Sequence, residues 1–324
     1  MGGLPEPGVA ADPQIEDSEV DAGPETRQWR LGAGAHGQRL DKVLAGLVPE
    51  FSRSHLQNLL AAGEVRLDDA VATVASRKVK AGQALAITLV PPAEARAFVP
   101  QAMPLSVVHE DEHLLVIHKP AGLVVHPAAG NWSGTLLNGL LARDANAARL
   151  PRAGIVHRLD KDTSGLMVVG RSLEAVTALI RDMAARDIRR RYLALAQGDV
   201  GRVPFTIDAP VGRDPVSRVR MAVTPQGKPA RTDVFPLGCN GSVSALRCEL
   251  HTGRTHQIRV HLASRGHPLV ADAVYGGRPA LGMQRQALHA AELELAHPIS
   301  RQPLHFEAAP PADFAAAWAA VVSG

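Results

Sequence analysis

Four prolines within fifteen residues divide this chain of 324. Pro91, Pro92, Pro100 and Pro104 leave no room for a helix or a central strand, because proline lacks the N–H and fixes φ. No regular element can cross this stretch, so the chain must fold as at least two bodies joined by a stiff linker, expected at 91–103. The length agrees with two domains.

Ahead of the linker, residues 37–90 form a compact pattern. Leu40, Val43, Leu44 and Leu47 recur at helical spacing. A second helix is expected from Ser52 or Ser54, either of which can cap it, through Leu56, Leu59 and Leu60 to about Gly63. Val65–Leu67 and Ala84–Leu89 read as short strands. Beyond the linker, 104–312 holds β-rich runs at Leu114–Ile117, Gly154–Leu159, Leu166–Val169, Tyr192–Ala196, Leu246–Leu250 and Ile258–His261. Helical patterns fall at Gly134–Ala142, Ser172–Arg186 and Ile258–Arg265, the last competing with the strand reading. Strands outnumber helices and do not alternate with them, so the fold class is α+β with a mixed, mainly antiparallel sheet. Residues 313–324 are a C-terminal helix or tail.

The net charge of +3 hides an asymmetry. Residues 1–26 carry seven acids and no Lys or Arg, in a setting of Pro and Gly; with the lead-in to residue 36 they read as a disordered acidic tail. The remainder holds all 35 basic residues against 25 of the 32 acidic ones, a net +10. Such a body attracts a polyanion, with nucleic acid the first candidate. Only six of the 35 are Lys, a bias that a GC-rich genome explains as well as phosphate recognition by Arg does.

Composition removes other classes. Six Phe, three Trp and two Tyr are too few for a row of base-stacking aromatics. The longest stretch free of charged side chains, Pro120–Ala142, contains four Gly and two Pro and is no membrane span. No secretory signal opens the chain, so Cys239 and Cys248 are expected as thiols in a reducing cytoplasm.

In the small domain Arg53 stands at the start of the second helix, where a cation opposes the helix dipole. That placement makes sense if a phosphate sits on the helix N-terminus and Arg53 shares it. Arg39, Lys42, Arg66, Arg77, Lys78 and Lys80 add charge nearby; a solvated surface is the ordinary alternative for any one of them. Two short helices, the SRS start, the β-turn and the trailing RKVK together resemble the S4 RNA-binding domain. Asp68-Asp69 departs from the Asn-Gly usual in its hairpin.

The stretch Pro151–Gly165, PRAGIVHRLDKDTSG, reads as a β run that ends at Arg158-Leu159-Asp160-Lys161-Asp162 and turns into a second, LMVV. Polar residues at the mouth of such a frame commonly form a site. On spacing alone, Asp160 between Arg158 and Lys161 is more often a surface ion pair. A glycosidase pair with Asp162 fits poorly, because residues two apart on a strand point the same way. His251, His256 and His261 recur every five residues, a spacing that suits neither one helical face nor one strand face, so zinc is not expected.

HRLDKDTSGLMVV resembles the signature of RluA-type pseudouridine synthases, and further pieces match in order: Ile117–Pro120, Val124–Asn138, Arg190–Leu195, Gln226–Ala230, Gly253–His261, His267–Gly277 and Leu288–Ala290. The resemblance spans nearly all of 37–312 and is strongest to the D-type branch acting on bacterial large-subunit ribosomal RNA. His118 stands where an Asn is usual, and Ala271 where a Gly is.

The resemblance implies isomerisation of uridines in 23S ribosomal RNA, with no cofactor and no metal. The C1′–N1 bond breaks, the uracil turns, and C1′ joins C5. Asp160 is then the catalytic acid residue, with attack on the ribose, attack on C6 and removal of a C2′ proton all open. Tyr192 matches the tyrosine that stacks on the base and can take the C5 proton. Arg259 matches the basic partner of the Asp. Arg158 matches a residue that enters the RNA when the target is flipped out. The expected RNA contacts of the small domain are Arg39, Arg53, Lys42, Lys78 and Lys80. The expected protein is a cytoplasmic monomer that works on RNA and not at a membrane. A non-catalytic ribosome-assembly factor, a related synthase acting on other rRNA sites or tRNA, and a glycoside hydrolase are the alternatives; a mere binder would need none of Asp160, Tyr192 and Arg259.

Overall fold

The computed structural model describes residues 25–90, 93–128, 130–217 and 220–322. The chain divides into two units, with the break between Pro92 and Ala93. The acidic tail expected at the N-terminus lies, up to residue 24, outside the described residues.

The first unit contains β1 (Glu25–Arg30), α1 (Leu40–Leu47), α2 (Arg53–Ala61), β2 (Val65–Leu67), β3 (Ala70–Val71) and β4 (Ala84–Leu89). Its sheet has the order β1-β4-β2-β3. Leu40, Leu44, Leu56 and Leu60 from the two helices meet Val65, Leu67, Leu85 and Ile87 of the sheet in one dry core. Each such side chain contributes about 1.5–3 kcal/mol by leaving water. Ser52 caps α2 by accepting the His55 N–H. Asp68 and Asp69 both adopt left-handed backbone in the hairpin turn, and Asp68 accepts the Ala84 N–H. The turn therefore tolerates two acids in place of Asn-Gly.

Two boundaries differ from expectation. The small unit begins before residue 37, since β1 pairs with β4 along its whole length and Leu31 is buried in the core. The stretch 93–103 is not a free linker. Ala93–Phe98 forms a 3₁₀ turn, and the two N–H bonds of buried Asn138 Nδ2 are shared among the carbonyls of Val99 at 2.8 Å and of Arg96 and Ala97 at 3.2 and 3.3 Å. A segment with unused carbonyls is stitched to the catalytic unit by one amide that needs acceptors.

The second unit runs through β5 (Ser106–Glu110), β6 (Leu114–Lys119), α3 (Leu136–Arg143), β7 (Ser164–Gly170), α4 (Leu173–Ala185), β8 (Arg189–Gln197), β9 (Phe205–Asp208), β10 (Val211–Arg213), β11 (Met221–Val223), β12 (Arg231–Cys239), β13 (Val243–Leu250), α5 (Gln257–Ser264), β14 (Leu288–Ala296), β15 (Pro303–Glu307) and α6 (Ala312–Val322). Nine strands form one sheet in the order β5-β6-β7-β14-β8-β13-β12-β9, with β15 added to β14. Only β7 and β14 pair in parallel among the described strands. Both faces of the central strands are covered. Met167 and Val169 point toward α3 and α5, whereas Leu166 and Val168 point toward Leu179 of α4. That is why β7 reads as an unbroken apolar run.

At the centre, Ala290 of β14 pairs with Gly165 of β7 on one side and with Tyr192 of β8 on the other. Gly165 is required there: its φ is 120°, and a Cβ would lie 2.2 Å from the Ala290 carbonyl oxygen.

Gly154–Leu159 is not a strand, contrary to its β-rich composition. Arg152, Ala153 and Gly154 all have positive φ, and only Ile155 bridges to Val169. The His157 imidazole accepts the Val168 N–H at 2.9 Å, a donor that a paired strand would have used. The contested segment at 258–265 is helical, as α5. The C-terminal segment is a helix, α6, whose Phe314, Ala317 and Val321 are buried against Val243 and Ala245 of β13.

Candidate active site

A cleft of about 950 Å³ opens on the second unit, and Asp160, Tyr192 and Arg259 all line it. Asp160 comes from the irregular segment ahead of β7, Tyr192 from β8 and Arg259 from α5.

Arg259 is buried, and its guanidinium holds two carboxylates. Its Nε and Nη2 donate to both oxygens of Asp272 at 2.7 and 2.9 Å, while Nη1 donates to Asp160 Oδ2 at 3.0 Å. The guanidinium also lies over the Tyr275 ring at 5.1 Å. One oxygen of Asp160 is thus anchored. The other faces His256 Nε2 at 3.8 Å, beyond direct hydrogen-bonding reach. Tyr275 Oη accepts the Met221 N–H and is hydrogen-bonded to His256 Nδ1 at 2.8 Å, which orients the imidazole with Nε2 toward Asp160. Burial holds His256 below its ordinary value, against the pull of Asp160.

The turn that carries Asp160 is fixed from beneath. Lys119, fully buried, donates through Nζ to the carbonyls of Pro120, Leu123 and Lys161 at 2.8–2.9 Å. Three donations require the ammonium, since a neutral amine has only two N–H bonds. Burial lowers Lys119 to about 8, with Asp160 and Asp162 pulling the other way, so it remains charged at neutral pH. Arg285 Nη1 donates to the Asp162 carbonyl at 2.9 Å, and the Thr163 N–H closes onto the Asp160 carbonyl. Tyr192 is buried in β8 between Cys248 and Ala290. Burial raises its phenol above the usual value; the Arg190 charge opposes this and the Asp160 charge adds to it. Arg158 lies exposed on the cleft, with no ion pair among the described residues.

The basic set of the small unit is placed differently from a free patch. Arg39 and Arg53 both reach Asp41, whose carboxylate is fully buried: Arg39 through Nε and Nη2 at 3.0 and 3.2 Å, Arg53 through Nη2 at 2.8 Å. Gln57 donates to the same carboxylate. The two guanidiniums are about half exposed. Lys42, Lys78 and Lys80 are exposed. The three evenly spaced histidines go separate ways. His251 bonds Asp233 and lines the cleft, His256 lines the cleft beside Asp160, and His261 lies away from it, bonded to Thr232 and the Ala209 carbonyl.

Reasoning from sequence missed Asp272, His256 and Lys119 as parts of the site. Each lay inside a matched motif, at 267–277, 253–261 and 117–120, without a role attached. Asp41 was missed as well; an acid one residue into a helix, flanked by Arg39 and Lys42, was the signal.

The family described as RNA pseudouridylate synthase matches residues 113–264, which contain Asp160, Tyr192 and Arg259, and the S4 domain matches 38–85. A Nitrosomonas europaea protein named ribosomal large subunit pseudouridine synthase D is 47% identical over 288 residues, covering 86% of this chain and 83% of that one. The chain belongs to the RNA pseudouridylate synthase family. An Escherichia coli relative of the same name is 46% identical over 290 residues, 86% of this chain and 88% of its own. Among solved structures, human RNA pseudouridylate synthase domain containing 1 superposes with a TM-score of 0.51 at 29% identity, covering 64% of this chain and 84% of that one. This pseudouridylate synthase also carries an S4 RNA-binding domain and the α+β fold expected of it. Ala271 has φ 59°, left-handed backbone that explains the glycine usual at that position in the family.

Proposed function

We propose that this chain isomerises specific uridines to pseudouridine in large-subunit ribosomal RNA, with Asp160, Tyr192 and Arg259 carrying the reaction and neither metal nor cofactor taking part. The observation that carries the reading is the asymmetry of Asp160: Oδ2 bound to Arg259, Oδ1 open to the cleft. A carboxylate held in that way is oriented before substrate arrives. The names of the relatives support the substrate class.

In this reading the target uridine leaves the stack and enters the cleft, with Arg158 available at the rim to take its place. Asp160 Oδ1 meets C1′, C6 or the C2′ proton. The C1′–N1 bond breaks, the uracil turns, C1′ bonds to C5, the C5 proton departs and N1 gains one. Tyr192, kept as the neutral phenol by burial, offers a ring against which the base turns. The S4 unit supplies affinity through Lys42, Lys78, Lys80 and the outer edges of Arg39 and Arg53. The same reading carries a cytoplasmic location and action as a monomer. No described helix is long and apolar enough to cross a membrane.

The test is to map pseudouridines in ribosomal and transfer RNA from a strain lacking this protein and from the same strain with it restored. Loss confined to the large subunit is the expected result. Loss only in tRNA moves the substrate; no loss anywhere favours a binder.

A further inference from the structure

Two arginines of the cleft wall hold left-handed backbone: Arg152 with φ 53° and Arg186 with φ 68°. Such conformations suit glycine or asparagine, and other residues kept in them gather at functional sites. Arg152 lies in the turn eight residues before Asp160, and Arg186 caps α4 six residues before Tyr192. Each therefore begins the segment that delivers one residue of the reaction.

Both side chains are exposed, and neither makes a hydrogen bond or an ion pair among the described residues. Elsewhere in this unit the arginines divide: Arg181, Arg202, Arg213, Arg265 and Arg278 also lack a side-chain partner among the described residues, and others are held by acids. Arg171 meets Asp144, Arg191 meets Glu292 and Glu294, and Arg285 meets Asp313. The closest internal control is Arg301, also left-handed at φ 59° but away from the cleft, whose guanidinium binds Asp182 at 2.7 Å. Arg186 has an ordinary explanation, because a cation favours a helix C-terminus. That explanation does not reach Arg152, which ends no α-helix. Arg158 and Arg190 also line the cleft without an acid, and the Nε of Arg190 is buried with no partner. Burial first, and then the charges of Arg152 and Arg158, hold His126 on the same cleft down to about 4.

We propose that Arg152 and Arg186 each grip a backbone phosphate next to the target nucleotide, and that the left-handed backbone serves to aim them. A planar guanidinium fits a phosphate with two parallel N–H bonds. The inference rests on the reading that the cleft receives the target strand of an RNA.

The test uses the full chain with Arg152→Gly, Arg186→Gly and the two Lys variants. Binding to a large-subunit rRNA transcript is measured over a range of salt, alongside pseudouridine formation and thermal melting. Each Gly variant should shed one phosphate contact, lowering the slope of log affinity against log salt by about 0.7–0.9. Its KM should rise about tenfold, the loss of one charge-assisted contact. Melting should not fall, because relief of the strained backbone offsets the added freedom of the unfolded chain. The Lys variants should keep the native salt slope with weaker affinity. Native salt slopes in both Gly variants, while the native chain still makes pseudouridine, would overturn the proposal and leave the enzymatic reading standing. A lowered melting temperature would overturn it too, by showing that the arginines serve packing. Reduced slopes in the variants of a chain that modifies no rRNA would uphold the two grips and remove the substrate instead.

Discussion

Asp272 grips Arg259 with both carboxylate oxygens and so decides which nitrogen is left for Asp160. The bidentate pair fixes the plane of the guanidinium, and Nη1 then points at the Asp160 carboxylate. Asp160 is positioned by a residue that lies thirteen places beyond Arg259 and does not line the cleft.

Arg259→Ala should harm both stability and turnover. Removing the cation strands Asp272 and Asp160 beside each other, and breaking a buried pair from one side costs about 3–5 kcal/mol. Arg259→Lys should recover part of the stability and little activity, since an ammonium cannot satisfy two carboxylates in fixed directions. Chemical denaturation and tritium release from C5-labelled uridine measure the two effects. Native values in Arg259→Ala would show that the pair is dispensable.

Asp160→Asn should abolish isomerisation and preserve RNA binding. The amide keeps size and one acceptor but loses the charge that each of the three routes needs. Asp162→Asn is the control, because Asp162 is fixed through its backbone carbonyl and Arg285 rather than through its carboxylate. Filter binding and tritium release, both with a chelator present, separate the outcomes. An active Asp160→Asn variant would sink the assignment.

His289 should make the catalytic unit sensitive to acid. It is fully buried, its Nε2 donates to the Ala308 carbonyl, and its Nδ1 accepts from Ser164. Burial lowers it to about 4 from an ordinary 6.5. Between those values the unfolded chain binds a proton that the folded one refuses, so stability falls as pH drops from 6.5 toward 4. The loss levels off below that window, at about 3 kcal/mol for this group. Urea denaturation at pH 7 and pH 4.5 should show the loss, and His289→Gln should flatten the pH dependence. An unchanged dependence in the variant would assign the acid sensitivity to other groups.

Removing 1–92 should weaken RNA binding and lower its salt dependence while the catalytic unit keeps its fold. The unit removed has its own core, and its exposed cations release counterions when they meet phosphate. Within that unit, the hydrogen bond from Arg39 leads those holding Asp41 well below the usual carboxylate range, against its burial. Its stabilising effect is present above about pH 4 and is lost as pH falls further. Asp41→Asn should therefore destabilise the small unit by about 1–2 kcal/mol at neutral pH and free two arginines for RNA. Tighter binding with a lower melting temperature is the expected combination; unchanged binding would mean that Arg39 and Arg53 do not touch RNA.

Much of this was legible before any coordinates. The helices at 40–47 and 53–61 follow from leucine spacing and a serine cap, which are local signals. Gly154–Leu159 misled because Ile155, Val156 and Leu159 give it the β-rich composition of a strand, while the deciding contact was a side chain, His157, reaching a backbone N–H eleven residues away. Asp272 and Lys119 were hidden for a similar reason. Their chemistry comes from burial against partners far along the chain, and no local period encodes that. Asp160, Tyr192 and Arg259 were reached through family resemblance; by spacing alone the first would have passed for a surface ion pair.

Ala290, which takes no part in chemistry, binds the Gly165 strand on one edge and the Tyr192 strand on the other. Gly165, just past the turn that carries Asp160, and Tyr192 are therefore separated by two ladder spacings, about 4.8 Å each, that cannot stretch without tearing the sheet. A frame tied in this way leaves much of the deformation that the reaction demands to the nucleotide, which has to unstack, swing and reattach beside it. Uridines whose surroundings in the RNA already yield easily should be chosen first, so that selectivity is read partly from the pliancy of the substrate and not only from its sequence.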